Sequence, residues 1–274
     1  MLFSSSIIFA QNDTNDNNTC DSVKFINAIR SDLEFSYENS LNVFKSPYYF
    51  DSNDFLITGV IVALTGTSFT IDNSIRKSVI KNKNNLMNKV TSVGENFGNA
   101  KYGSALSALL YFTGLIFDNQ DVRETGQMLA ESMLWNGVYT ELLKITFVRY
   151  RPYTGNTNLK MEPFEFEHDS NENSLPSGHT STAFTIATVL SQKLDNTYAS
   201  IVLYSLASLT TYQRVYADVH WFSDTFLGAA LGTIIGLKIS SLHNKHNEEN
   251  KSLKYSIYPN FDSNSYKVGV LLQF

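Results

Sequence analysis

The sequence contains 274 residues, which is enough for one sizeable domain with tails or for two small domains. With 21 basic and 26 acidic residues the formal charge is −5, and no basic tract indicates nucleic-acid binding. The single cysteine, Cys20, excludes an internal disulfide framework and a cysteine-based zinc site.

The first fifty residues divide into two parts. Residues 1–10 are apolar and lead into an Asn/Asp-rich stretch, which is similar to the end of a secretory signal without its basic start. Residues 20–44 carry apolar side chains at helical spacing, which predicts an amphipathic helix that covers a bundle or lies at an interface. We therefore expect a signal-like or disordered segment over 1–19, and an amphipathic helix with a linker over 20–50.

Six apolar segments with few prolines follow, and each is long enough for a helix. They span residues 55–71, 102–117, 128–148, 180–190, 198–212 and 226–239. Connected by short links, they predict an all-α, six-helix bundle over residues 51–243. They are shorter than the roughly 20 apolar residues of a typical membrane span, so a membrane bundle and a soluble core of buried helices both stay open.

The C-terminal residues change in character. A polar stretch near residues 243–251 predicts a linker. Residues 253–258 and 266–274 are expected to be extended, because apolar and polar side chains alternate in the second segment. With a turn at 259–265, they predict a small β-hairpin docked on the bundle, so that 244–274 forms a linker and a hairpin.

The first of three motifs lies where the third apolar segment ends, and it consists of Lys144, six residues, then Arg151 and Pro152. On one helix the two basic side chains would lie two turns apart and point the same way, with Pro152 ending the helix just past Arg151. Such a pair binds phosphate oxygens or forms a solvated basic face. Arg149 is expected to be a solvated charge at the helix end, although it could instead extend the positive field.

The second motif is Pro176-Ser177-Gly178-His179, directly before an apolar helix. The first N–H groups of a helix lack partners and favour an anion. Gly178 lets the backbone approach a ligand, Ser177 adds a hydroxyl, and His179 can give a proton to a leaving oxygen. The alternative is an ordinary helix cap beside a surface histidine.

The third motif contains Arg214, His220 and Asp224. His220 and Asp224 are four residues apart and would share one face of a helix, where the carboxylate fixes the tautomer of the imidazole. The other ring nitrogen is then free to attack phosphorus. Arg214 does not share that face, so we expect a break near residues 217–218. The alternative is a pair that only supports a helix.

Together the three motifs resemble the type 2 phosphatidic acid phosphatase and vanadium haloperoxidase superfamily, over roughly residues 55–243. The family pattern is Lys-x6-Arg-Pro, Pro-Ser-Gly-His and Ser-Arg-x5-His-x3-Asp, and the one departure is Gln213 in place of the serine. The resemblance implies that His220 is the nucleophile, that Asp224 orients it and that His179 is the general acid. It also implies a set of phosphate-binding residues: Lys144, Arg151, Ser177, Gly178 and Arg214.

The resemblance implies a bacterial, metal-independent phosphatase that hydrolyses phosphate monoesters or diphosphates, with lipid phosphates as the leading substrates. The leading location is the cell envelope, as a multi-pass membrane protein with an outward-facing site. The alternatives are a secreted or periplasmic acid phosphatase for small phosphomonoesters, a vanadate-dependent haloperoxidase, and a lipid-binding or structural module. No cofactor is expected; vanadate would inhibit the phosphatase or serve the haloperoxidase. The acidic loop at 153–173 is expected to add solubility or specificity.

Overall fold

The computed structural model of the chain describes residues 17–164, 173–252, 256–262 and 265–271. The signal-like segment expected at 1–10 and residues 165–172 of the acidic loop lie outside these residues. The described residues form nine helices and one hairpin. The helices are α1 (Asn17–Lys45), α2 (Ser52–Ser68), α3 (Asp72–Lys81), α4 (Asn85–Phe97), α5 (Ala100–Ile116), α6 (Gln120–Phe147), α7 (Gly178–Leu194), α8 (Thr197–Tyr216) and α9 (Phe222–Ser252).

The all-α bundle is confirmed, and the six predicted apolar helices correspond to α2 and α5–α9. The amphipathic helix predicted over residues 20–44 is α1. Two further helices, α3 and α4, lie in the polar stretch 72–97, where no continuous apolar segment marks them. Helix α9 continues to Ser252, so the residues expected to form a linker after 243 are helical.

Short polar side chains set the starts of most helices, as expected of residues that accept hydrogen bonds from the free N–H groups of a first turn. The Asp51 carboxylate accepts from the Asn53 and Asp54 backbone N–H groups, and the Asp54 side chain accepts from the Asp51 N–H. The same role falls to Asn84, Asn99, Asn119, Ser177 and Asn196. These caps fix where each helix begins, and Ser177 does so within the second motif.

Helix α7 is the centre of the bundle, and three glycines of α9 let the two helices pack closely. A Cβ on Gly228 would lie 2.6 Å from the Ser177 carbonyl oxygen, and one on Gly236 would lie 2.8 Å from the Thr188 Cβ. Gly232 between them faces the Ser181 carbonyl in the same way. Because the backbones approach this closely, the N-terminal ends of α7 and α9 lie side by side.

Helix α1 is tied to the bundle by a buried carboxylate far from those ends. Glu131 of α6 accepts hydrogen bonds from Ser36 Oγ (2.6 Å) and Asn39 Nδ2 (3.1 Å), and its Oε2 lies 3.2 Å from His243 Nε2 of α9. A buried carboxylate needs such partners to offset the cost of its desolvation. The network therefore holds α1, α6 and α9 together at the end of the bundle away from the three motifs.

Near the C-terminus, β1 (Ser256–Asp262) and β2 (Ser265–Leu271) pair antiparallel. Asp262 pairs with Ser265, so residues 259–262, which were expected in the turn, belong to β1. The docking of this hairpin on the bundle stays a prediction.

Among the described residues, one helix is long and apolar enough to cross a membrane, at Phe222–Glu249. Helices α2 and α3, bent by 61° at their junction, would count as a second span if taken together. Apolar side chains are nevertheless exposed on most of the described helices, and we call a set of them on five helices, exposed at fractions from 40% to 81%, the apolar belt. Its residues are Phe55, Leu56, Ile57, Val60, Val62 and Leu64 of α2; Leu109, Phe112 and Ile116 of α5; Leu134, Val138 and Leu142 of α6; Tyr198, Ile201 and Val202 of α8; and Ile234 and Leu237 of α9.

Candidate active site

The three motifs meet at one end of the bundle, around His179. Burial, together with the positive charges of Arg214, Lys144 and Arg151 and the neighbouring His220, lowers the pKa of His179 to about 4. A Cβ on Gly178 would lie 3.9 Å from the Lys144 Nζ atom, so this lysine reaches the start of α7. Three cations from three separate parts of the sequence therefore surround two histidines.

The first motif contributes Lys144 and Arg151 to this site from a helix and a loop, and not from one helix as predicted. Helix α6 ends at Phe147, and Val148 adopts a left-handed conformation (φ 38°), so Arg151 lies in the following loop rather than on the helix with Lys144. The prediction that one helix carries both residues is wrong. The chain leaves the helix early because Arg149 turns inward, and its backbone forms an isolated bridge with Met161.

Arg149 is fully buried, so the prediction of a solvated charge at the helix end is wrong. Its guanidinium binds Asp224 and Asp72, at 2.5 and 2.7 Å, instead of facing solvent. Arg151, by contrast, points its Nε into a buried position where that atom has no hydrogen-bond partner among the described residues. An unpaired buried donor of this kind suits an anionic ligand.

The second motif forms the helix start that the sequence predicts. Helix α7 begins at Gly178, with Ser177 as its N-cap, and Ser177 Oγ accepts from Thr180 Oγ1 at 3.1 Å. Ser177 is fully buried, and its backbone N–H donates to the Asp224 carbonyl oxygen at 3.0 Å. The free N–H groups of this helix end lie beside Lys144, which is the arrangement that binds an anion.

The third motif breaks as predicted, but His220 and Asp224 do not share a helix. Helix α8 ends at Tyr216, Asp218 is left-handed (φ 66°), and α9 begins only at Phe222. The expected direct hydrogen bond between imidazole and carboxylate is also not formed, because His220 Nδ1 lies 3.7 Å from Asp224 Oδ2.

The tautomer of His220 is set instead by the backbone. His220 Nδ1 lies 2.8 Å from the Ser174 carbonyl oxygen, which can only accept a hydrogen bond, so Nδ1 carries the proton. Asp224 Oδ2 accepts from Ser174 Oγ at 2.5 Å and from the Trp221 N–H at 2.8 Å. Nε2 of His220 therefore keeps a free lone pair, while Asp224 supports the imidazole through its charge and through Ser174.

The surroundings of His220 favour its neutral form. Burial, and the nearby Arg151 and Arg214, lower the pKa of His220 to about 4, although Asp224 acts in the opposite direction. His220 lies between helices α8 and α9, at the bundle end and beyond the apolar belt. Near neutral pH the imidazole is thus unprotonated.

Arg214 is held by Gln213 and by Glu95, a residue that the sequence did not mark. Its Nε donates to Gln213 Oε1 at 2.5 Å, and its Nη2 lies 3.2 Å from Glu95 Oε1. Gln213 in turn donates to Glu95 Oε2 at 3.1 Å. The glutamine that departs from the family pattern therefore takes part in fixing the arginine.

The sequence reasoning missed three residues of this region, Asp72, Glu95 and Ser174, and it assigned Arg149 to solvent. Asp72 and Glu95 lie on helices α3 and α4, which were themselves not predicted. Ser174 acts largely through its backbone carbonyl, and no spacing rule detects such a contact. The burial of Arg149 next to the motif could have been suspected only from its apolar neighbour Val148.

Three cations, two histidines with lowered pKa values and a helix start thus meet at one end of a helical bundle, an arrangement that suits a tetrahedral oxyanion. Residues 127–248 match the family model described as PAP2 superfamily. This segment, which contains all three motifs, is similar to the PAP2 superfamily.

Comparison with known proteins gives relatives of the same kind. A lipid A 1-phosphatase of Porphyromonas gingivalis is 27% identical over 181 residues, or 64% of this chain and 36% of the relative. A lipid A 4'-phosphatase of the same organism is 24% identical over 111 residues, or 40% of this chain and 47% of the relative. The chain thus spans less than half the length of these curated relatives.

A solved structure shares the fold. The crystal structure of a transmembrane PAP2-type phosphatidylglycerolphosphate phosphatase from Bacillus subtilis superposes with a TM-score of 0.53 and 18% identity. The match covers 70% of this chain and 96% of that chain. At this identity the likeness establishes the helical architecture, and the chemistry has to be argued from the site.

Proposed function

We propose that this protein is a phosphatase that hydrolyses phosphate esters through a covalent intermediate on His220. The observation that carries the proposal is the meeting of Lys144, Arg151 and Arg214 around two histidines whose pKa values are lowered to about 4. Phosphoryl transfer depends mostly on positioning and on stabilising charge at the equatorial oxygens. Three cations with the N–H groups of a helix start provide that stabilisation, and we propose that no metal ion is needed.

In the proposed first step, His220 Nε2 attacks the phosphorus atom and the bond from phosphorus to the leaving oxygen breaks. His179 gives its proton to that oxygen, so the product leaves as an alcohol. The bound phosphate contributes the negative charge that raises the pKa of His179 in the complex, because an opposite charge favours the protonated imidazole.

In the proposed second step, water replaces the histidine on phosphorus. His179, now neutral, accepts a proton from the water as it attacks, and the P–N bond breaks to release inorganic phosphate. The lone pair returns to Nε2. Nδ1 keeps its proton, which stays hydrogen-bonded to the Ser174 carbonyl oxygen. The cycle therefore restores the starting state of both histidines.

The apolar belt supports lipid phosphates as the substrates and a membrane as the location. Large exposed apolar surfaces are rare on soluble monomers and mark surfaces that contact other proteins or lipid. On α2 the belt stops at Leu64, four residues before the helix end at Ser68, and on α6 it stops at Leu142, five residues before Phe147. At about 1.5 Å per residue, the site end extends roughly 6 Å or more beyond the belt.

We propose that the phosphate site lies at the headgroup level of a bilayer in which the belt is buried. A lipid could then keep its acyl chains in the membrane while its phosphate reaches Lys144 and Arg151. The names of the Porphyromonas gingivalis relatives point to the same substrate class, lipid phosphates such as lipid A. We propose that the protein acts on lipid phosphates at the surface of the cell envelope.

The test is a phosphate-release assay on the full chain in mixed micelles, with EDTA present. The substrates are lipid A, phosphatidate, phosphatidylglycerol phosphate, an isoprenoid diphosphate and a small aryl phosphate. We expect turnover of at least one lipid, inhibition by vanadate, and loss of turnover in His220→Ala. Retained turnover in His220→Ala would refute the mechanism, and turnover of the aryl phosphate alone would favour a phosphatase for small phosphomonoesters. Oxidation of halide by peroxide with added vanadate, without phosphate release, would instead indicate a haloperoxidase.

A further inference from the structure

Beneath the site, three buried charges of alternating sign form a row. Arg149 lies between two carboxylates, with Nη2 2.7 Å from Asp72 Oδ2 and Nη1 2.5 Å from Asp224 Oδ1. All three side chains are fully buried. A buried carboxylate needs a cation or several hydrogen bonds to offset its desolvation, and Arg149 supplies the cation to both carboxylates.

Arg149 is fully engaged in this row and is not available to a phosphate. Its Nε and Nη2 also donate to the Asn158 carbonyl oxygen, at 3.0 and 2.6 Å, and Nη1 donates to Ser223 Oγ at 2.7 Å. The guanidinium carbon lies 4.4 Å from the centre of the Phe69 ring and 5.7 Å from the Trp221 ring. Any effect of this arginine on the reaction must therefore pass through Asp224.

Asp72 anchors the same assembly from α3. Its Oδ1 accepts from the Ser223 backbone N–H at 2.9 Å, and its Oδ2 accepts from Ser223 Oγ at 2.6 Å. One carboxylate thus caps the first turn of α9 and also holds Arg149. Because Asp224 lies in that same turn, Asp72 fixes both the backbone and the ionic partner of Asp224.

The contacts continue from Asp224 to the nucleophile. Asp224 Oδ2 accepts from Ser174 Oγ at 2.5 Å, and the carbonyl of Ser174 holds Nδ1 of His220 at 2.8 Å. The row therefore reaches the reacting histidine through a serine bonded at both its side chain and its backbone. Groups of this kind orient a reacting imidazole without touching the substrate.

We propose that Asp72 and Arg149 are positioning residues for His220, acting through Asp224 and Ser174. Arg149 holds the Asp224 carboxylate in the orientation that binds Ser174 Oγ. Asp72 compensates part of the positive charge of Arg149. Asp224 therefore keeps a net negative charge beside the imidazole while His220 forms its bond to phosphorus. The inference rests on the proposed phosphatase activity.

The alternative role for such a row is to stabilise the fold alone, and the two roles differ in what they change. A structural row lowers the unfolding temperature and leaves turnover of the folded protein intact. A positioning row lowers kcat, while the affinity for vanadate is preserved because Lys144, Arg151 and Arg214 remain in place.

The experiment uses the full chain in detergent and compares Asp72→Asn, Arg149→Met and Arg149→Lys with the wild type. Arg123→Met is the matched control, because Arg123 is a largely buried arginine that pairs with Asp32 at 3.2 Å in the part of the bundle away from the site. Phosphate release from the substrate turned over by the wild type gives kcat, vanadate inhibition gives the affinity for the anion, and thermal unfolding shows which variants are folded. Asp72→Asn is also combined with Asp224→Asn.

We expect Asp72→Asn to lower kcat by on the order of 10- to 100-fold, the range typical of outer groups that orient a reactive ligand. Vanadate affinity should change by less than about threefold, since the groups that bind the anion are untouched. In a protein that already carries Asp224→Asn, the same substitution should lower kcat further by less than about threefold, because residues acting through one another are not additive. Arg149→Lys should keep more activity than Arg149→Met, and Arg123→Met should keep the wild-type kcat.

An unchanged kcat in Asp72→Asn would overturn the inference, as would an equal loss with and without the Asp224 carboxylate. If Arg149→Met does not fold, Asp72→Asn and Arg149→Lys decide the question in the same way. A wild-type protein that releases no phosphate from any substrate tested would refute the proposed function, and the inference would fall with it. That result differs from the one in which the wild type is active and Asp72→Asn has the same kcat, which would overturn the inference alone.

Discussion

Nδ1 of His220 donates its hydrogen bond to the backbone carbonyl of Ser174, at 2.8 Å, and not to a carboxylate. A carbonyl oxygen does not titrate and cannot donate, so it fixes one tautomer of the imidazole at every pH at which the ring is neutral. The Asp224 carboxylate, 3.7 Å away, contributes charge. Tautomer and charge are thus supplied by two different residues.

This division predicts a modest cost for Asp224→Asn. In a directly bonded pair, the same change selects the wrong tautomer and costs about 10⁴ in kcat. Here the Ser174 carbonyl still holds Nδ1–H, so we expect a loss on the order of 10- to 100-fold, from the missing charge alone. Steady-state kinetics on the folded variant measures it, and a loss near 10⁴ would mean that the carboxylate also sets the tautomer.

The lowered pKa values predict activity that persists into acid. His220, with a pKa of about 4, keeps its lone pair down to that pH, so the fall of kcat/KM on the acid side that is caused by His220 should lie near pH 4. An ordinary histidine would lose its lone pair near pH 6.5. The measurement is a pH profile of kcat/KM with two aryl phosphates of different phosphate pKa. The fall in kcat/KM that is caused by His220 should occur at the same pH for both substrates. A fall near pH 6.5 for both would contradict the prediction.

The loss of kcat on removing His179 should be larger for a poor leaving group than for a good one. Because it gives its proton to the leaving oxygen, His179→Gln should lower kcat for an alkyl or lipid phosphate by about 10²- to 10⁴-fold. A nitrophenyl phosphate, whose leaving group needs no proton, should lose far less in the first step. Pre-steady-state measurement of nitrophenol release isolates that step, and equal losses for both substrates would show that His179 is not the acid.

Much of the fold and of the site is readable from the sequence, because the signals are local. Six apolar segments became six helices, and the proline, serine and glycine before residue 180 marked a helix start. The residues of all three motifs also lie at one end of the bundle. Each of these predictions needed only periodicity, capping chemistry or a motif.

What escaped prediction depends on contacts between distant residues. Arg149 had the surroundings of a surface charge in sequence, and only Asp72, from a helix with no apolar signature, and Asp224 bury it. The helix expected to carry both Lys144 and Arg151 ends early for the same reason. Ser174 binds His220 through its backbone, which leaves no trace in residue type.

Gln213 is the one departure from the family motif. We expect its substitution to affect substrate binding rather than the chemical step. Gln213→Leu removes the oxygen that accepts from Arg214 Nε and the amide that donates to Glu95. Arg214 then loses one of two restraints, and a hydrogen bond to a charged group contributes about 1.5–3 kcal/mol. We expect KM and the vanadate inhibition constant to rise by about tenfold or more, with kcat within about threefold.

Gln213→Ser, which restores the family residue, is the companion variant. It should bind substrate better than Gln213→Leu, because the hydroxyl can still hydrogen-bond within the site. Steady-state kinetics on both variants is the measurement. A fall in kcat with unchanged KM would show that Arg214 acts mainly in the transition state.

The close approach of α9 to α7 at Gly232 predicts that a larger residue at this position destabilises the protein. The site is built on this pair of helices. A Cβ at this position would clash with the Ser181 carbonyl, which is backbone and cannot turn aside, so the two helices must separate. Overpacking of this kind costs about 1–3 kcal/mol, or more where backbone has to move. Gly59→Ala in α2 is the matched control, since a Cβ there meets nothing within 4 Å. In an exposed helix interior that change is expected to stabilise by roughly 0.5–1 kcal/mol.

Thermal unfolding of the two alanine variants in the same detergent should therefore move in opposite directions from the wild type, down for Gly232→Ala and up for Gly59→Ala. Because Ser177 and Asp224 are joined at the end of this helix pair, kcat should also fall in Gly232→Ala at temperatures where the protein is folded. Gly59→Ala should leave kcat unchanged. An unfolding temperature of Gly232→Ala equal to that of the wild type would mean that α7 and α9 do not pack backbone to backbone, and the proximity of the two helix starts would then need another cause.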